Sequence, residues 1–166
     1  MRELRSIMSG SEPITAKSAK VLSDFVGGSA QFWINRQEIY ESALERAVDA
    51  VAPQELDLWL TIPTPGPSPR GRLNEERRRE ELRRRLAFFG VGTLGAFKGR
   101  YSQQNEQTRF RKSTKLMSDD GATSLWLRQG EIEATLAETE AWNSNALEAR
   151  IGEIKRLSSV SKPKRF

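Results

Sequence analysis

In its 166 residues the chain has no cysteine and no histidine. The first absence excludes disulfides, a thiolate nucleophile and zinc-thiolate sites. The second removes the imidazole base and the commonest zinc ligand. Long apolar runs are missing too: none approaches the roughly 20 residues that span a bilayer, and Met1-Arg2-Glu3 does not open the basic, then apolar, pattern of a secretory signal. The composition reads as a cytoplasmic chain that crosses no membrane and carries no metal or organic cofactor. Carboxylate chemistry survives these exclusions, because paired acids can do acid and base work without histidine. However, Glu131, Glu133, Glu138 and Glu140 line a helical stretch with no glycine-rich loop or cleft signal beside them. The chain is therefore read as not an enzyme.

What is present is basic and helical. A formal charge of +5 and a pI near 9.8 favour polyanionic partners, although such a charge also serves solubility. Residues 3–9 read as the end of a helix with Leu4, Ile7 and Met8 on one side, closed by Ser9-Gly10-Ser11. Thr15 caps a second helix whose Ala16, Ala19, Leu22, Phe25 and Val26 follow the spacing of a buried stripe, and Gly27-Gly28 stops it. Ser29 caps a longer helix to about Ala50, with Phe32, Trp33, Ile39, Tyr40, Ala43, Leu44, Ala47 and Val48 on a wide apolar face. Pro53 to Leu60 forms a short helix with Leu56, Trp59 and Leu60 inward.

Composition then shifts at TIPTPGPSPRGR, residues 61–72, where four prolines and two glycines forbid regular structure. This is the expected domain boundary. LNEERRREELRRRLAFFG, residues 73–90, is a charged helix ending on Leu86, Phe88, Phe89 and a capping Gly90. Its Glu75-Arg79, Glu80-Arg84 and Glu81-Arg85 pairs are four apart in the favourable orientation, each contributing about 0.2 to 0.5 kcal/mol, so the run reads as a solvated face. A short, glycine-broken helix and a basic connector follow. The next helix is capped by Asp119 or Asp120, with Leu125, Trp126, Ile132, Leu136 and Ala137 apolar, and the last runs from Asn143 with Leu147, Ile151, Ile154 and Leu157 in register.

IMSGSEPITAKSAKVLSDFVGGSAQFWINRQEIY resembles the second half of the helix-turn-helix domain in the HigA-type antitoxin branch of the XRE regulators, through Ile7, Gly10, Ile14, Thr15, Ala19, Leu22, Phe32, Trp33, Asn35, Gln37 and Tyr40. LRRRLAFFGV, RFRKSTKLMSDDGATSLWLRQGEIEA and EIKRLSSV resemble the helical connector that joins such a domain to an ImmA/IrrE-type metallopeptidase. The resemblance implies an all-α fold: a partial helix-turn-helix (lambda-repressor-like) bundle with its extension at 1–60, a Pro/Gly-rich linker at 61–72, and a second small helical domain, the connector, at 73–166. In the family two helices precede the residue matching Met1 and a His-Glu-x-x-His peptidase follows the connector, so the chain is expected to begin internally and end early.

The resemblance also implies roles. Arg2, Glu3, Arg5 and Ser6 fall where a recognition helix offers side chains to base edges, and only Arg2 and Arg5 have bidentate geometry for guanine. Lys17 falls where family members touch phosphate. The competing readings are a solvated terminal turn and an ordinary solubility lysine. Phe32, Trp33 and Tyr40 are expected in the core or a dimer interface, with Phe32 or Trp33 partly exposed or covered by a second chain. The expected partners are double-stranded operator DNA, a second copy in a homodimer, and a partner toxin. The alternative is a protein-interaction module that has lost DNA binding. Because hydrolytic zinc uses about three protein ligands, and the acids Asp119, Asp120, Glu131 and Glu133 suit at most a weak hard cation, elemental analysis of purified, tag-free protein should find no stoichiometric zinc. Stoichiometric zinc with chelator-sensitive cleavage of a protein substrate would contradict this.

Overall fold

The computed structural model describes the backbone of residues 2–67, 69, 71–109 and 120–157, and their side chains except those of 2, 3, 102–109 and 157. Eight helices and no strand occur among the described residues: α1 (Arg2–Met8), α2 (Ala16–Val26), α3 (Ala30–Asp49), α4 (Pro53–Thr61), α5 (Glu75–Phe89), α6 (Leu94–Arg109), α7 (Asp120–Leu136) and α8 (Ser144–Leu157). The protein is all-α. No helix among the described residues is long and apolar enough to cross a membrane.

The caps set most of these boundaries. Thr15 and Ser18 form a reciprocal capping box at the start of α2. The Ser29 hydroxyl accepts from the Phe32 N–H at 3.1 Å and opens α3, and Asn74 accepts from the Arg77 N–H at 2.9 Å and opens α5. Gly90, left-handed at φ 62° and ψ 39°, closes α5. Asp120 is the first residue of α7, and Asp119, the other expected cap, lies outside the described residues. The Asn143 side chain accepts from the Ala146 N–H at 3.1 Å before α8.

The core gathers around the apolar end of α5. Leu82, Leu86 and Phe89, at helical spacing, join Leu44 and Val48 of α3, Trp59 of α4, Leu94, Phe97 and Tyr101 of α6, and Ile132 of α7. Phe89 meets Phe97 edge-on at 4.9 Å and Tyr101 at 5.6 Å, and Trp59 meets Phe97 at 5.3 Å. This core explains why α6 runs unbroken through Gly95 and Gly99 rather than as the short, broken helix expected. Leu94, Phe97 and Tyr101 share one buried face, and their burial offsets a helix-propensity cost of roughly 1 kcal/mol per glycine.

The expected boundary at 61–72 does not divide the packing. Residues Met1–Leu136 form one compact unit and Ala137–Phe166, containing α8, a second. Ile62 and Thr64, inside the Pro/Gly-rich stretch, are buried, and α3 and α4 both pack on α5. Proline forbids a helix there, but it does not forbid contact. The buried stripe expected along α2 is also shorter: Ala19 is buried, whereas Phe25 is 87% exposed and Val26 67%. On α3 Ile39 is exposed while Leu44 and Val48 are inside, and Trp126 of α7 is exposed.

Gly10 shows how closely α1 and its turn approach α5. Its φ is +67°, and a Cβ there would lie 2.9 Å from the Ala87 Cβ. Gly71 also has positive φ, at +79°, but opens onto empty space. Gly71→Ala should cost roughly the 1–2 kcal/mol of a left-handed alanine, and Gly10→Ala a further 1–3 kcal/mol or so from overpacking. Urea unfolding of the two variants checks the difference, and equal losses would show that the turn does not press on α5.

Candidate nucleic-acid interface

The turn between α1 and α2 is built from local polar bonds. The Ser6 carbonyl accepts from the N–H groups of Ser11 at 2.9 Å and Glu12 at 3.3 Å, and from the Ser9 hydroxyl at 3.0 Å. The chain then straightens into Ile14, whose N–H donates to Gln37 Oε1 of α3 at 3.1 Å, while the Gln37 amide donates to Glu41 at 2.8 Å. One glutamine thus fixes the entry of α2 against the middle of α3, which gives a physical reason for the Ile-Thr and Asn-x-Gln segments to occur together. Asn35 accepts from Gln31 at 2.7 Å on the outer side of α3.

Phe32 and Trp33 open α3 differently from each other. The Trp33 indole N–H donates to the Gly27 carbonyl at 3.0 Å, which ties the start of α3 back to the end of α2, and the two rings meet edge-on at 5.4 Å. Phe32 is 48% exposed, the partial exposure expected of one of the pair. Tyr40, also partly exposed, lines with Trp33, Arg36 and Arg83 a cleft of about 340 Å³ between the turn, α3 and α5. Partial burial raises the Tyr40 phenol above its ordinary pKa, against the opposing pull of Arg83 and Arg128.

The expected base readers are placed unequally. Arg2 and Glu3 are helical, but their side chains lie outside those described. Ser6 is partly buried within α1. Arg5 makes a bidentate pair with Glu133 of α7, Nε to Oε1 and Nη2 to Oε2 both at 2.7 Å, each side chain 43% exposed. Glu133 therefore serves as an arginine partner, and Glu131 likewise receives Arg100 at 2.9 Å and Arg128 at 3.1 Å. Nothing local in the sequence could link Arg5 to an acid so far along the chain. Lys17 is exposed in the first turn of α2, with Lys20 exposed on the same helix.

The Arg5 hydrogen bonds hold the Glu133 carboxyl below the usual glutamate pKa, and Glu133 in turn raises Arg5. A depressed carboxylate contributes stability that is present above its unfolded pKa and is lost as pH falls through the folded pKa. The α1–α7 contact should therefore persist at neutral pH and loosen only below the ordinary glutamate range. Carboxyl-observed NMR titration should place Glu133 below an ordinary glutamate, and Arg5→Ala should return it there. An unchanged Glu133 titration in Arg5→Ala would show that the pair does not form in solution.

Comparison of the chain with models of known families, with curated proteins and with solved structures returns no match, so a functional reading rests on the residues themselves.

Proposed function

We propose that the chain is a DNA-binding transcriptional regulator of the helix-turn-helix class, of the antitoxin type, which meets double-stranded operator DNA as a dimer chiefly through phosphate contacts. The observation that carries this reading is the α1-turn-α2 unit: a left-handed Gly10, a capping box at Thr15 and an entry pinned by Gln37, with Lys17 presented to solvent at the start of α2. A helix N-terminus with an adjacent lysine suits a phosphate oxygen. Arg5 enters only by exchange, since its fork on Glu133 has the geometry that would otherwise meet guanine O6 and N7. The half-exposed Phe32 and the exposed Val26 and Phe25 supply an apolar face for the second copy.

The same apolar face favours a second reading, a protein-interaction module that holds another copy or a partner toxin and no longer reads DNA. Salt separates the two readings, because phosphate contacts release counterions and an apolar helix interface does not. Mobility shifts with promoter and random duplexes at two salt concentrations should show binding that weakens with salt. Lys17→Ala should weaken binding on every sequence and reduce the salt slope by about 1. Absence of any shift at low salt, with salt-insensitive self-association by sedimentation, would favour the interaction module and overturn the DNA reading.

A further inference from the structure

A second cleft, of about 550 Å³, lies between the α1–α2 turn, the 64–65 segment and α5, within the size range of small-molecule sites. Two residues that line it each hold a buried donor with no hydrogen-bond partner among the described residues: Thr64, through Oγ1, and Arg84, through Nε. Thr64 is only 8% exposed. Buried donors are rarely left unpaired in a native fold, because each loses its water without a replacement. The rest of the Arg84 guanidinium is held, one terminal nitrogen 3.4 Å from the Pro65 carbonyl and the other 3.0 Å from Glu81.

Further groups on the same wall narrow the ligand. Arg83 commits its Nε to Glu45 at 2.8 Å, and its terminal nitrogens make no hydrogen bond to the described residues. The hydroxyls of Ser9 and Ser11, 2.5 Å apart, lie at the rim. These groups favour an oxyanion. Glu80 also lines the cleft, and Phe88 gives it an apolar side. A carboxylate repels a bare anion but accepts from a hydroxyl, so the wall suits a phosphate attached to a hydroxylated body.

We propose that this cleft binds a small phosphate monoester carrying hydroxyl groups, its phosphate oxygens accepting from Thr64 Oγ1, Arg84 Nε and the Arg83 terminal nitrogens, and a hydroxyl of its body donating to Glu80. The site is independent of whether the chain binds DNA. Isothermal titration of the full chain with glucose 6-phosphate, inorganic phosphate and glucose tests it, alongside Thr64→Val and Arg84→Lys. Thr64→Val is near-isosteric and removes only an unpaired hydroxyl, so without ligand its thermal midpoint should stay level or rise. The expected result is saturable binding of glucose 6-phosphate, weaker binding of inorganic phosphate and none of glucose, with affinity for the phosphates falling about tenfold or more in each variant. Absence of binding by either phosphate at low salt, or affinity unchanged in both variants, would overturn the assignment.

Discussion

Arg85 is 5% exposed, and a guanidinium, which carries its charge at any pH a protein meets, must find acceptors wherever it is buried. It finds them at the end of α4 and in its own helix: Nε donates to the Ile62 carbonyl at 2.9 Å, Nη2 points to the Leu60 carbonyl at 3.4 Å, and Nη1 donates to the Glu81 carbonyl at 2.9 Å and to the Glu81 carboxylate. Carbonyls at a helix C-terminus carry partial negative charge and lack intrahelical donors, so one side chain satisfies the end of α4 and fixes it against α5. This contact places Trp59 over Phe97, directs 62–65 back along α5, and seats Thr64 where the phosphate cleft is inferred. Deleting the guanidinium would leave buried carbonyls and the Glu81 carboxylate short of a donor, a loss of about 1–3 kcal/mol for each group.

The remaining arginines of α5 extend the same logic outward. Arg79 reaches Glu45 at 2.9 Å and Asp49 at 2.6 Å on α3, Arg83 reaches Glu45, and Arg78 reaches Asp57 of α4. Exposed pairs of this kind add little stability each, but together they orient α3 and α4 around α5. At the other end Arg128 donates to the Phe88 carbonyl at 2.7 Å and Arg100 to the Phe89 carbonyl at 3.3 Å, both also held by Glu131. The helix is thus apolar where it enters the core and basic along its flanks, and its open C-terminus is closed by arginines from α6 and α7.

Period and caps make the helices legible in the sequence: Thr15, Ser29, Asn143 and Gly90 mark ends that the fold uses. Tertiary choices were not readable. Of the three intrahelical pairs expected within EERRREELRRR, Glu81-Arg85 forms, whereas Arg79 turns to Glu45 and Asp49 of α3, which a spacing rule confined to one helix does not count, and Arg84 takes Glu81 at i,i+3 in place of Glu80. The proline-rich stretch hid its packing for a similar reason, since composition reports backbone preference and not burial. At the candidate interface Lys17 is exposed and Phe32 partly exposed, while the engagement of Arg5 by Glu133 depends on a fold that brings α1 onto α7.

If α5 and its buried guanidinium join everything up to Leu136, the N-terminal helices and the helices after the prolines must unfold together. Native-state hydrogen exchange in increasing urea measures this directly, because separately stable segments open with their own free energies. The slowest amides of α3, α5 and α7 should converge on one opening free energy with one urea slope. Exchange of α3 through a separate opening, with a lower free energy and a smaller slope than α5 and α7, would show instead that residues 61–72 divide two independent bodies.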